Sequence, residues 1–351
     1  MSYHVFVVLH LIKKFQGDRS IYGIYHLLRG KKSSQTIQDS VLFSAQAFFN
    51  SLENLSRENW SHLIRSCCSK HLLQEIKKDH FTLTDKGSDT YLMLSKSYSI
   101  PAGLELTDWI DIETPFWKKL KMIIQSLSHM VHHKRYYYPV TRQDDIQQWT
   151  KNFYRYLKVN RYQISKQLQK EIKTALSTCS DLESGILVYQ LSGFQVNGMT
   201  IEQLAMLTHS SLFETSFLFK SSVRQLLNQI ASKPNKYPIL AKIADLDRSA
   251  SAVSLTQSAR KTLKLINRGL TLDQIASIRR LTQNTIEDHV IEIAFQDPSF
   301  PIDSFIDENS YQHIQRIIGS LTTKRLSVIK DACGQDISYF MIRLVLAKER
   351  I

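Results

Sequence analysis

Folds built from tight chain reversals need residues that tolerate positive φ, and this sequence has few, with 11 Gly and 7 Pro in 351 residues. Sandwiches, propellers and phosphate-cradling glycine loops are thereby disfavoured, and helices joined by short turns are the economical architecture. The length allows two or three cores rather than one.

Three regions differ in texture. Over residues 1–100, Ile21, Ile24, Tyr25 and Leu28 recur at helical spacing ahead of Gly30, which suits a left-handed helix stop. A second helix carries Ile37, Val41, Leu42 and Ala45, and a third follows Ser56 with Trp60, Leu63 and Ile64. The alternation from His80 to Thr84, running into Asp85-Lys86-Gly87, reads as a hairpin with its turn at Asp85–Gly87. Three helices and a hairpin make a winged helix, with Lys86 at the tip of the wing. Lys31 and Lys32 stand where they would touch phosphates while the third helix enters a groove.

Residues 101–250 read as an all-helical middle domain without a motif of their own. Its charge is distinctive. Forty-five Lys and Arg against 32 Asp and Glu give the chain +13, which makes polyanions the first partners to consider. Much of that excess lies between Lys118 and Lys173, where thirteen basic residues, among them Arg135, Lys151, Arg155, Lys158 and Arg161, face only Asp144, Asp145 and Glu171. Tyr136, Tyr138, Trp149, Phe153, Tyr154 and Tyr162 are interleaved with them, the mixture expected where cations meet phosphates and rings stack on bases. A solvated basic helix face with its aromatics turned into a core produces the same pattern. The Ser- and Ala-rich stretch from Arg248 to Ser254 reads as a linker into the last domain.

Over residues 251–351 the pattern sharpens. Ala259, Leu263 and Ile266 mark one helix, ended by Gly269. Thr271 with Gln274 is a capping box, and Leu272, Ile275 and Ala276 form a buried face. After a turn at Arg279–Thr282, a third helix packs Ile286, Val290 and Ile293 inward. It leaves Gln283, Asn284, Thr285 and His289, flanked by Arg279 and Arg280, where a recognition helix presents side chains to bases. Glu287, Asp288 and Glu292 on the same helix oppose phosphate approach, and 254–351 carries 13 basic against 11 acidic residues, so a protein interface at Glu287 and Asp288 is the alternative to DNA contact, with pure packing as the third. A further trio, around Tyr311–Ile317, Leu326–Ile329 and Ile342–Leu346 after a Ser338 cap, follows.

At Asn267–Ala276 and Leu281–Val290, and again toward the end at Asp336–Ala347, the sequence resembles the helicase-type helix-turn-helix domain carried at the C-terminus of many RecQ-type helicases. Taken whole, with Arg29–Thr36 near the front, it looks like the YpbB family of Gram-positive bacteria, whose gene typically neighbours one for a RecQ-type helicase. The resemblance implies a helicase-associated, DNA-binding accessory in repair or recombination and carries no catalytic residues. A helix-turn-helix scaffold that docks the helicase without reading DNA, or a transcription regulator, is the other expectation.

Chemistry is sparse. There is no G-x-x-x-x-G-K-[ST], G-x-G-x-x-G, H-E-x-x-H or G-x-S-x-G, so neither a motor nor a common hydrolase is expected. Cys67, Cys68, Cys179 and Cys333 lack metal-ligand spacing and read as reduced thiols of a cytoplasmic protein, with association to the nucleoid in view. His132 and His133 are adjacent and cannot face one metal from a helix. Asp108, Asp111 and Glu113 are the one acidic knot that a magnesium-dependent nuclease would use. The apolar run Val5–Ile12 is too short to cross a bilayer. No cofactor, metal, membrane or small-molecule substrate is expected, and the fold class is mainly α: winged helix, helical middle, helix-turn-helix.

Overall fold

Eighteen helices and one two-stranded sheet form among the residues that the computed structural model describes, which are 2–134, 136–157, 160–246, 255–321 and 325–349. The expected linker at 248–254 lies outside them, as do Arg135 and Lys158. By their contacts the residues divide into two units: Met1–Phe6 with Leu94–Ser251, and Val7–Met93 with Ala252–Ile351. The middle of the chain, with the first six residues, is thus one body, whereas the rest of the N-terminal part and the C-terminal part share the other. No described helix is long and apolar enough to cross a membrane.

The α-helices described in the middle unit are α6 (Ile110–Val131), α7 (Asp144–Leu157), α8 (Arg161–Leu176), α9 (Asp181–Val188), α10 (Ile201–Leu207), α11 (Leu212–Ser232) and α12 (Pro238–Ala244). Phe116, Leu120, Ile123 and Leu127 recur at i, i+4, i+7 and i+11 on α6 and meet Ile164 and Leu168 of α8, Val223 and Leu227 of α11, and Leu240 of α12 in one core. Each such side chain contributes about 1.5–3 kcal/mol by leaving water. Glu113 of α6 is 1% exposed and accepts from Lys220 at 2.9 Å and Arg224 at 2.6 Å, both on α11. The acidic knot therefore contains one carboxylate that holds two helices together rather than a metal.

In the other unit α1 (Tyr3–Phe15) leads into α2 (Ile21–Leu28), α3 (Ser34–Leu42), α4 (Arg57–Ser69), β1 (Leu73–Lys77), β2 (His80–Leu83) and α5 (Asp85–Leu94). Ser56 caps α4 by accepting from Asn59 N, and the Trp60 indole, fully buried, donates to Ile21 O at 2.8 Å, locking α4 to the start of α2. Gly30 takes φ +69°, as its place after α2 requires.

The hairpin is displaced from the expected place. β1 and β2 pair antiparallel, Leu73 opposite Leu83 and Gln74 opposite Thr82, so the reversal falls at Lys78–Asp79, where Asp79 has φ 61°. Asp85-Lys86-Gly87 is instead the first turn of α5, because Thr84 Oγ1 accepts from Gly87 N at 2.9 Å and caps that helix. A Cβ on Gly87 would lie 2.0 Å from Leu72 O, so the glycine serves a close approach and not a turn. Lys86 is thereby corrected from wing tip to helix start, and Lys77 and Lys78 occupy the wing.

The C-terminal part of this unit comprises α13 (Gln257–Ile266), α14 (Leu272–Arg279), α15 (Gln283–Gln296), α16 (Glu308–Ser320), α17 (Leu326–Cys333) and α18 (Tyr339–Glu349). Helices α13–α15 form the expected trihelical unit, with the Thr271–Gln274 capping box made and Gly269 at φ 78°. The second trio, α16–α18, packs on itself and lays α18 along α15.

Candidate nucleic-acid interface

α15 sits third in the helix-turn-helix, where a recognition helix would be, yet most of it is enclosed. It contacts α13, α14, α18 and, from the N-terminal part of the same unit, α3. Ile286, His289, Val290, Glu292 and Ile293 are all buried. His289 Nδ1 lies 3.0 Å from Thr262 Oγ1, and burial together with the neighbouring Arg279 pushes its pKa below the ordinary histidine value. Arg279 turns inward as well, donating to Ser258 O at 2.9 Å and Ser258 Oγ at 2.8 Å, so it fastens α14 to α13. His289 is therefore placed away from any base, and Arg279 is committed within the fold.

The leading end remains open. Arg280 is exposed at φ 52°, Gln283 and Asn284 are exposed, and Thr285 is half-buried beside the Thr282 cap. Asp288 pairs with Arg343 of α18 at 2.6 Å, and Arg343 also donates to Gln38 of α3 at 2.6 Å. Glu287 is half-buried beside Asp288, and burial holds its pKa above the usual carboxylate range. Of the two acids expected to meet a partner protein, Asp288 is already used inside the molecule.

In the N-terminal region, α4 exposes Arg57, Asn59, His62 and Arg65, with Arg57 over the Tyr22 ring at 4.1 Å. Lys31 and Lys32 are exposed just past α2, and Lys77 and Lys78 on the hairpin. Lys86 is exposed on α5.

The middle unit exposes basic side chains on two successive helices. On α8, Tyr162, Lys166, Lys170 and Lys173 follow at spacings of four, four and three and are all exposed. They form one stripe about 16 Å long at 1.5 Å per residue. Lys166 lies over the Tyr162 ring at 4.6 Å. The helix has one acid, Glu171, and it points the other way: 2% exposed, it accepts from Ile239 N at 3.1 Å and Leu240 N at 3.0 Å and caps α12. On α7, Lys151 and Arg155 are exposed one turn apart, and Arg161 opens α8. None of these six cations makes an ion pair with a carboxylate among the described residues.

The aromatics divide. Phe153 stacks on Trp149 at 5.2 Å and is buried, and the Tyr154 hydroxyl is hydrogen-bonded to Ser126 and Ile123 O, so these rings belong to the core. Tyr136 and Tyr138 stand 94% and 96% exposed, and Tyr162 54%. Lys166, Lys170 and Lys173 lay within the basic run of the sequence without being singled out, although their helical spacing was the available signal.

Burial pushes the Cys67 thiol up to about 11, away from the thiolate a nucleophile needs, and no group of three or more His, Cys, Asp or Glu among the described residues is placed to hold a metal.

A helix-turn-helix domain family matches residues 258–346, the span from α13 into α18. Over its whole length the chain is similar to Protein YpbB of Bacillus subtilis (strain 168), 28% identical over 361 residues, covering 99% of this chain and 98% of that protein. No solved structure matches it.

Proposed function

We propose that this protein binds nucleic acid through the phosphate backbone along α7 and α8, as a DNA-binding accessory that places a RecQ-type helicase on its substrate. One observation carries the reading: α8 turns its only carboxylate, Glu171, into the fold and leaves Lys166, Lys170 and Lys173 unneutralised beside an exposed tyrosine. A helix presenting only cations outward binds phosphates without reading sequence, and Tyr136, Tyr138 and Tyr162 supply faces on which unpaired bases stack. The helix-turn-helix match at 258–346 supports the same class of ligand. Within that domain Arg280, Gln283 and Asn284 are the side chains free to reach DNA. The helicase as partner, and work in the cytoplasm at the nucleoid, follow from the resemblance of residues 267–290 to the helicase-type domain.

The test is a salt titration of binding to labelled single- and double-stranded DNA. Affinity falls steeply with salt, and replacing Lys166, Lys170 and Lys173 by Ala together lowers the slope of log K against log salt by about 2–3, since each phosphate contact releases about 0.7–0.9 counterion. Absence of binding at low salt, or a slope unchanged in the triple variant, overturns the reading.

The burial of α15 favours a second reading, in which the helix-turn-helix docks the helicase as a scaffold and does not read DNA. A pull-down against the helicase with Ile278→Glu, which alters an exposed apolar side chain beside the turn, separates the two: loss of the complex with DNA binding intact supports the scaffold.

A further inference from the structure

Residues 198–211 repeat residues 269–282 without a gap. Gly198, Thr200, Gln203 and Ala205 stand where the C-terminal helix-turn-helix has Gly269, Thr271, Gln274 and Ala276, and Ile201 and Leu204 stand for Leu272 and Ile275. From the cap onward the backbone repeats too, although Gly269 takes φ 78° and Gly198 does not take a positive φ. Thr200 and Gln203 close a capping box as Thr271 and Gln274 do, each with the cap N–H 2.9 Å from the glutamine oxygen. Leu204 and Ile275 are both fully buried. His209 and Arg280 both take φ 52°, and Ser211 and Thr282 cap the following helix at φ −73° and −72°. α9, α10 and α11 therefore make a helix-turn-helix inside the middle unit, where the sequence carried no motif that had been named.

This copy is built for a different ligand. In a chain of net charge +13, residues 174–219 contain no Lys or Arg but do contain Asp181, Glu183, Glu202 and Glu214. The third helix has Phe213, Thr215 and Phe217 buried in its first two turns and leaves Glu214 and Ser216 partly exposed there, so nothing basic is offered to a groove. What is offered instead is apolar. Met206 is 77% exposed, and Leu207 beside it in sequence, Tyr189 after α9 and Leu212 at the start of α11 stand about half exposed. Glu202 lies one turn before Met206 on the outer face of α10. Met199 N donates to Tyr189 O at 2.7 Å, which ties the end of α9 to the start of α10 and carries the surface from one helix to the other.

We infer that this second helix-turn-helix is a docking face for a basic amphipathic helix of a partner protein. An exposed apolar pair, Met206 and Leu207, with the Glu202 carboxylate one turn before it and no Lys or Arg in residues 174–219, complements a helix that buries Leu-type side chains and flanks them with Lys or Arg. The unbranched Met206 adapts to such a surface. With no Lys or Arg in residues 174–219, this face lacks the cations that phosphate binding needs, so the inference stands apart from the α7–α8 proposal.

The test uses the full chain and fluorescence anisotropy of a labelled Leu/Lys amphipathic helical peptide of about five turns, with a Leu/Glu peptide of the same pattern as control. The Leu/Lys peptide binds and the Leu/Glu peptide does not. Joint replacement Met206→Ser and Leu207→Ser, and separately Glu202→Lys, each weaken binding by about tenfold or more, whereas Ile278→Glu in the other helix-turn-helix leaves it unchanged. All these side chains are exposed, and an unchanged far-ultraviolet spectrum checks the fold. Lack of binding at about 100 μM, equal binding of the two peptides, or indifference to both variants overturns the inference. So does a concentration-dependent dimer in sedimentation that the Met206→Ser, Leu207→Ser variant dissolves, since a second copy would then be the occupant.

Discussion

Glu113 shows what a single side chain can mean once its neighbours are known. In the sequence it was the last member of an acidic knot. In the structure it is enclosed with Lys220 and Arg224, and Arg224 also donates to Leu104 O at 2.6 Å. Removing the carboxylate strands two buried cations, so Glu113→Ala loses about 3–5 kcal/mol of stability in urea unfolding, far more than Asp111→Ala on the exposed side of the same helix. A second residue-scale prediction concerns pH. His10 packs on Tyr91, its Nδ1 3.0 Å from the phenol oxygen, and burial, then Lys14 and Lys13, lower its pKa from 6.5 to about 4. Because the folded value is the lower one, the unfolded chain takes up the proton first. The stabilisation from neutral His10 is complete above about 6.5 and is lost as pH falls toward 4. Its size is about 1–3 kcal/mol after allowance for solvent screening. The urea midpoint should therefore drop across that window, and His10→Gln should flatten the drop; parallel curves for the two proteins would refute it. Neither role was visible in the sequence, because Lys220 and Tyr91 are brought to these residues from far along the chain.

Elements were legible where local chemistry fixes them. Ser56, Thr271 and Ser338 cap helices because a hydroxyl accepting a backbone N–H at a helix start needs only three residues of context. Gly30 and Gly269 were legible because the left-handed region is cheap for glycine alone. The wing was misplaced for a related reason: Asp-Lys-Gly suits a turn, but Thr84 upstream caps it into α5. The grammar that marks 269–282 was equally present at 198–211, so that miss was one of reading and not of physics. The two capping boxes give a matched prediction. Thr271→Ala and Thr200→Ala each leave a helix-start N–H without its side-chain acceptor and cost about 1 kcal/mol, measured as a shift in denaturation midpoint. If Thr200→Ala were silent while Thr271→Ala was not, the α10 box would have no share in stability. α8 is the converse case. Its outward cations were countable from sequence, but the inward turn of Glu171 depends on α12 arriving with two unpaired backbone N–H groups, and no periodicity announces that.

At the scale of the whole molecule, the ends of the chain make one unit, which alters how its helix-turn-helix can work. α3, expected only as the second helix of a winged helix, has Thr36 to Ser40 buried because α15 lies against it. Arg343 is the polar link: it reaches Asp288 on α15 and Gln38 on α3, each at 2.6 Å, with 15% of its side chain exposed. A groove-reading role for α15 would require this contact to open, at the cost of uncovering Ile286, Val290 and Ile293. Reversing Glu287 and Asp288 to Lys would break the same link from the other side, so loss of a partner in that variant reports on the fold as much as on the interface. Arg343→Ala is the cleaner probe. It removes both bonds without adding charge and should speed amide exchange in α3 and α15 by about ten- to a hundredfold, equivalent to about 1.4–2.7 kcal/mol of local opening, while α6 and α8 in the other unit exchange as before. If α3 and α15 kept their full protection, apolar packing alone would hold them and Arg343 would be incidental. If protection is lost and affinity for duplex DNA rises together with it, then the N-terminal region acts as a cover on the recognition helix, and the two ends of this sequence regulate one another.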